Sequence, residues 1–186
     1  MKESPLYKER VSNKAFPVIG EGNHTAKIMF VGEAPGENEA RTGRPFCGAS
    51  GRILDKLLQS IDVDRKDVYV TNILKDRPPR NRDPSFEEIQ LYAPFLDRQI
   101  MIIQPKVLAT LGRFSMEYIM RKFDLDDKLQ SISRIHGQIF DVQTDYGSIK
   151  IVPLYHPAVA VYNANTMETL KNDFKVLKDI TQTESG

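Results

Sequence analysis

The 186-residue chain has a single cysteine, Cys47. One thiol closes no intramolecular disulfide and assembles no zinc or iron–sulfur site, so thiol-based staples are excluded as the basis of the fold. Long apolar runs are also missing, because charges interrupt every stretch before the roughly 20 residues that a membrane helix needs. Met1-Lys2-Glu3-Ser4-Pro5 offers no apolar core for a secretory signal, and the expectation is a cytoplasmic chain with no membrane partner. Charge of one sign is lacking too. Lys and Arg number 26 against 25 Asp and Glu, for a net charge of +1. A polyelectrolyte site therefore has to be a local patch. What remains is a globular composition, 40% hydrophobic and 27% charged with mean hydropathy −0.40. That suffices for one core on a soft prior of about 150 residues per domain.

Neither an internal repeat nor a low-complexity segment is present. Residues 1–25 mix charge with Pro and Gly at weak periodicity and read as an N-terminal arm packed on a single domain over 26–182, with a tail at 183–186. Lys27 to Gly32 is a short apolar run that ends in a Gly/Pro loop, as a buried strand does. Ile53, Leu54, Leu57, Leu58 and Ile61 recur at helical spacing and predict a helix from Ala49 to Ser60. Val68 to Ile73 and Val107 to Gly112 read as further strands, and Phe114 to Lys122 as a helix after the latter. Ser85 with Glu88 three residues on is a capping-box pattern that opens a helix running to Ile103. Ile139–Val142 and Ile149–Leu154 flank Asp145-Tyr146-Gly147 as a hairpin, and a last helix spans Thr166 to Ile180. Strands alternating with helices imply an α/β fold with a mainly parallel sheet and helices on both faces. In such sheets ligands bind outside the carboxyl ends of the strands. Glu33-Ala34-Pro35-Gly36, Asn72 and His156-Pro157 all follow strands at that rim.

Several patterns bear chemistry, each beside a plainer reading. Gly32 to Glu39 allows a tight turn that presents backbone N–H groups and a carboxylate, or is an ordinary β-to-α turn. It lacks the Gly-Lys-Ser/Thr ending of a Walker A loop and is no dinucleotide fingerprint. Phe46, between Pro45 and Cys47-Gly48, either stacks on a planar ligand or folds back onto the core. Lys75, Arg77, Arg80 and Arg82 put four cations in eight residues stiffened by Pro78-Pro79, which suits phosphates as well as solvent. Asn72 ends an apolar strand with one donor and one acceptor, the complement of a pyrimidine edge, or caps the next loop. His156, held extended by Pro157, either donates to a carbonyl oxygen or is structural, as a lone histidine more often is; His24 and His136 read as structural. No Ser-His-Asp or Cys-His arrangement is legible, and no spacing matches a metal-ligand set.

In this order and spacing the blocks resemble the uracil-DNA glycosylase superfamily, closest to family four, the iron–sulfur type. The matching stretches are Gly20-Glu21-Gly22-Asn23, Met29 to Gly36, Thr42 to Gly51, Val70 to Lys75, Arg77 to Arg82, Pro105 to Gly112, and His156-Pro157. The resemblance implies a three-layer α/β/α sandwich around a four-stranded, mainly parallel sheet. It implies hydrolysis of the N-glycosidic bond of uracil in single- or double-stranded DNA by base flipping, with an abasic site left for base-excision repair. It further implies a monomer, associated with the nucleoid if the source is prokaryotic.

Carried over by position, Glu33 orients or activates water, and Ala34 stands where some related families carry Asp. Phe46 stacks on uracil, Asn72 reads its N3–H and O4 edge, Glu39 walls the C5 side, and His156 donates towards O2. Val159, Val161 and Tyr162 belong to the loop that fills the gap left by the flipped nucleotide, an apolar wedge. Family four holds a 4Fe–4S cluster through four cysteines, but here Ser4, Asp76 and Tyr92 occupy three of those places. The expectation is therefore a chain with no cofactor and no metal. Two other readings stay open: a non-catalytic binder of DNA or uracil that kept the fold, and a glycosylase of altered base range, acting on hypoxanthine or xanthine.

Overall fold

The computed structural model describes residues 2–163 and 165–183. The strands are β1 (Glu21–Gly22), β2 (Ile28–Gly32), β3 (Tyr69–Asn72), β4 (Val107–Leu111), β5 (Phe140–Thr144) and β6 (Gly147–Leu154). The helices are α1 (Pro5–Ser12), α2 (Glu37–Thr42), α3 (Ala49–Ser60), α4 (Phe86–Ile103), α5 (Arg113–Lys122), α6 (Ile132–Ile135), α7 (Val159–Tyr162) and α8 (Thr166–Thr183). They build one sheet in the order β1-β3-β2-β4-β6-β5. Its centre, β3-β2-β4-β6, is parallel, while β1 and β5 pair antiparallel at the two edges.

The four-stranded expectation is thus corrected to six. Two-residue β1 lies in the arm, where so short a strand leaves no periodicity to read. β5 is the other half of the hairpin onto β6.

Side chains alternate across the pleat and fill a layer on each face. Ile28 and Phe30 of β2 face the layer of α3 and α8, with Leu54, Leu57, Leu58, Leu170 and Leu177. Phe30 stacks on Phe174 of α8, ring centroids 5.7 Å apart. Met29 and Val31 face the opposite layer, with Leu96 and Ile100 of α4 and Met116, Ile119 and Met120 of α5. These central strands are buried on both faces, so they read as continuous apolar runs rather than alternating ones. At the start of α4 the capping box forms as its spacing predicts: Ser85 Oγ accepts from the Glu88 N–H, and Glu88 Oε2 from the Ser85 N–H.

The arm is more ordered than its composition suggests. Ser4 caps α1, whose Leu6 packs with Leu74 and Tyr92. The Val18 N–H donates to Lys75 O, and the Thr71 hydroxyl to Ile19 O. Of the tail expected at 183–186, everything after Thr183 lies outside the described residues. No helix among the described residues is long and apolar enough to cross a membrane.

Four parallel strands aim their carboxyl ends at one rim, and the order changes direction between β2 and β4. That crevice is where an open α/β sheet leaves room for a ligand. Glu33 follows β2 there, Asn72 ends β3, Gly112 follows β4 and His156 follows β6.

Candidate active site

A cavity of about 520 Å³ opens at this rim, lined among others by Glu33, Glu39, Phe46, Asn72, His156 and Tyr162. Its size falls in the range of small-molecule pockets, roughly 300–1,000 Å³. All six residues of the expected catalytic and base-reading set, Ala34 included, meet in this wall.

Asn72 is 2% exposed, and its Oδ1 is buried without a hydrogen-bond partner. A buried acceptor left unpaired costs on the order of 1–3 kcal/mol unless a ligand supplies the donor. Gly32 makes the position possible, because a Cβ there would stand 2.3 Å from that oxygen and 2.7 Å from the Phe46 ring.

Phe46 folds back onto the core and still reaches the cavity. The ring is 6% exposed and belongs to the core layer over α3, yet it also lines the pocket and stacks beside His156. Its backbone lies at φ +47°, a left-handed conformation uncommon outside glycine. Glu39 steadies the turn that follows: its Oε1 accepts from the Cys47 and Gly48 N–H groups at 3.0 and 2.9 Å.

The imidazole of His156 accepts at Nδ1 from the Ala158 N–H, 3.1 Å away. With Nδ1 used as acceptor, the neutral ring carries its proton on Nε2. Burial lowers its pKa to about 4, against the smaller opposing pull of Glu39. The group is therefore a neutral donor across the physiological range.

Glu33 bridges the crevice. Its Oε1 accepts from the Phe114 N–H at the start of α5. Gly112 leaves it room, because a Cβ there would come within 2.3 Å of that oxygen. Burial raises the Glu33 carboxyl above its ordinary range, and the Phe114 N–H partly offsets this.

The basic loop is corrected in part. Lys75 is not a phosphate contact: it is 1% exposed, and its ammonium points inward to Thr71 Oγ1, Asn72 O and Gln99 Oε1 at 2.7–2.8 Å. Burial lowers its pKa to about 7. Arg77 bonds Asn81 and Glu37, and Arg82 forks onto Glu88, while Arg80 is exposed in a left-handed turn. Val159 is likewise corrected, since it packs onto the core, whereas Val161 and Tyr162 are 40% and 91% exposed.

Some contributors escaped the sequence reading. The Phe114 N–H is a backbone group with no residue signature. Arg65, whose guanidinium donates to Pro45 O and Phe46 O, stands nearly 20 residues from the loop it grips. Gly32 was within reach, as a glycine that ends a strand beside a polar rim.

The uracil DNA glycosylase superfamily model matches residues 19–180. The chain belongs to that superfamily. A Type-4 uracil-DNA glycosylase of Sulfurisphaera tokodaii is 46% identical over 164 residues, 88% of this chain and 74% of the relative. One of Archaeoglobus fulgidus is 43% identical over 88% of this chain and 81% of its own length. One of Thermotoga maritima is 38% identical over 93% and 84%.

These relatives overturn the expectation of a chain without a cofactor: Type-4 enzymes are the iron–sulfur type, and this chain aligns with them over most of its length. Its own residues do not fit the four-thiolate ligand set. Asp76 is buried between the Arg10 guanidinium at 2.6 Å and the Tyr92 hydroxyl at 2.5 Å, and Ser4 Oγ accepts from the Leu6 N–H. Among the described residues no group of three His, Cys, Asp or Glu is placed to hold a metal ion. Neither Ser4, Asp76 nor Tyr92 lines the cavity at the strand ends.

Proposed function

We propose that the chain is a uracil-DNA glycosylase: it hydrolyses the N-glycosidic bond of a flipped deoxyuridine and leaves an abasic site. The observation that carries this reading is the orphaned Asn72 Oδ1 at the floor of a pocket walled by Phe46 and His156. An imide N–H is the donor that oxygen lacks. Uracil has one at N3 and cytosine does not, so a cytosine would leave Asn72 unpaired. The Asn72 amide nitrogen then donates to O4, and Phe46 offers its ring to the base face.

Bond cleavage leaves positive charge on the sugar and negative charge on the base. His156 Nε2–H faces the developing charge at O2. A single preorganised donor of this kind is worth about 3 kcal/mol of transition-state stabilisation. Glu33, anchored through Oε1, keeps Oε2 for a water or for the cationic sugar. Glu39 walls the C5 side, where a methyl group would collide, while it holds the Phe46 turn.

Exposed Arg80 and Arg82 serve the phosphates, and Val161 and Tyr162 enter the gap in the stack. The arm of residues 1–25 and the body of 26–182 act together as one monomeric unit on single- or double-stranded DNA, in the cytoplasm.

The test is a labelled oligonucleotide with one uracil, single-stranded or opposite guanine or adenine, treated with alkali to reveal abasic sites. Cleavage weakened by both Glu33→Gln and His156→Ala supports the reading. Tight DNA binding without cleavage at high enzyme overturns it, in favour of a binder or of an enzyme for another base.

A further inference from the structure

Phe46 is the surface on which the base must lie, and its loop is held from an unexpected place. Arg65 sits in the single-turn helix Arg65–Asp67 that leads into β3. One guanidinium nitrogen donates to Phe46 O at 3.0 Å and to Asp55 Oδ1 of α3 at 2.9 Å, and the other donates to Pro45 O at 2.6 Å. Three acceptors from two segments thus converge on one planar fork.

The carbonyl it grips belongs to the residue at φ +47°. Gly51 closes the same carbonyl from the other side, since a Cβ there would stand 1.7 Å from Phe46 O. A left-handed phenylalanine persists where its surroundings over-determine it. Here Arg65 and Gly51 fix the carbonyl, and Glu39 fixes the two N–H groups that follow.

We propose that Arg65 is a positioning residue for base capture: it holds Phe46 in the orientation that receives the flipped uracil and couples that ring to the strand that ends in Asn72. The proposal rests on the glycosylase reading above. A lysine keeps the charge but not the fork, and one ammonium on a flexible stem does not reproduce two parallel carbonyl bonds. The grip is a matter of geometry, so charge alone does not rescue it.

Arg65→Lys and Arg65→Ala are compared with wild type for kcat, KM, inhibition by free uracil and binding of uracil-free duplex. Lys66→Ala, an exposed neighbour on the same turn, is the control. The expected result is a fall in kcat/KM of roughly ten- to a hundredfold in both Arg65 variants, the scale of a misplaced reacting group. Inhibition by free uracil weakens in parallel, duplex binding is unchanged, and Lys66→Ala matches wild type. Adding Arg65→Ala to Phe46→Ala costs little further, because the residue acts through that ring.

Full activity in Arg65→Lys overturns the proposal, as does unchanged uracil inhibition in either variant or a full additional loss in the Phe46→Ala background. Should Arg65→Ala not fold, the lysine variant decides alone. A wild-type protein without activity removes the glycosylase reading and this proposal with it, whereas an active wild type with indifferent Arg65 variants removes the proposal alone.

Discussion

The rings of Phe46 and His156 lie 5.7 Å apart between centroids and 28° from parallel, one from the loop before α3 and the other from the end of β6. This juxtaposition brings the proposed stacking surface and the proposed hydrogen-bond donor together in one cavity wall, close enough to act on one base. With Nδ1 occupied by the Ala158 N–H, the donor is Nε2–H of a neutral ring.

His156→Ala is therefore expected to lower kcat by about 10²–10³, the loss seen when one preorganised donor to a developing anion is removed. The pKa near 4 predicts no inflection in the rate around pH 6.5. Stability carries the opposite signature. The folded pKa lies below the unfolded one, so the unfolded chain takes up the proton first, and stability is lost as pH falls from about 6.5 to about 4. The shift sets this at about 3 kcal/mol at most, and denaturant titrations across that range should find it absent in the variant.

Glu33→Gln should separate activity from stability. The glutamine oxygen still accepts from the Phe114 N–H, but no charge needs burying. Because the folded carboxyl titrates above the unfolded one, its ionised form destabilises the fold at neutral pH, and the penalty disappears as pH falls through the folded pKa. The variant should melt at or above the wild-type temperature at pH 7 and lose about 10²-fold or more in kcat. A lower melting temperature with activity intact would refute both halves.

The parallel core and its helices were legible because buried strands and amphipathic helices write their periods directly: α3 begins and ends where its leucine spacing says. The residues that meet in the candidate cavity were legible through strand ends and loop glycines. What stayed hidden has physical reasons. Lys75 looks like its exposed neighbours in a basic loop, and only the tertiary pocket of Thr71, Asn72 O and Gln99 shows that it turns inward. β1 is two residues long, and α7 four, too short for any period. Arg65 pairs with Asp55, but its grip on two main-chain carbonyls leaves no residue signature that spacing would reveal.

That difference within the loop has its own test. Exposed Arg80 should contribute a released counterion, so Arg80→Ala lowers the slope of log K against log salt by about 0.9 on duplex DNA. Lys75→Met should leave the slope unchanged and instead lower the melting temperature, since three acceptors lose a buried donor. A reduced slope for Lys75→Met would return it to the phosphate patch.

Arg10 holds the arm to the body. Its guanidinium is 2.6 Å from the fully buried Asp76, which also accepts from Tyr92. Arg10→Ala strands that carboxylate, at a cost of about 3 kcal/mol. In a chain of this size that lowers the melting temperature by roughly 10 °C. Arg10→Ala combined with Asp76→Asn should recover most of the loss, because the amide still accepts from Tyr92 without a charge. Equal losses in the single and double variants would show that the pair is not the cause.

Tyr162 is 91% exposed at the mouth of the pocket, next to the half-exposed Val161. A large aromatic left in water at the end of a four-residue helix has no folding reason to be there. In double-stranded DNA the base must be unstacked and its place filled, at a cost of a few kcal/mol, whereas a single strand presents the base with less to break. Tyr162→Ala should therefore lower single-turnover cleavage on duplex by about tenfold more than on single strands, without changing the melting temperature. Equal losses on both substrates would make Tyr162 a surface contact rather than a wedge. The expected asymmetry would place the opening of the duplex on this side chain and leave the reading of the base to Phe46 and Asn72.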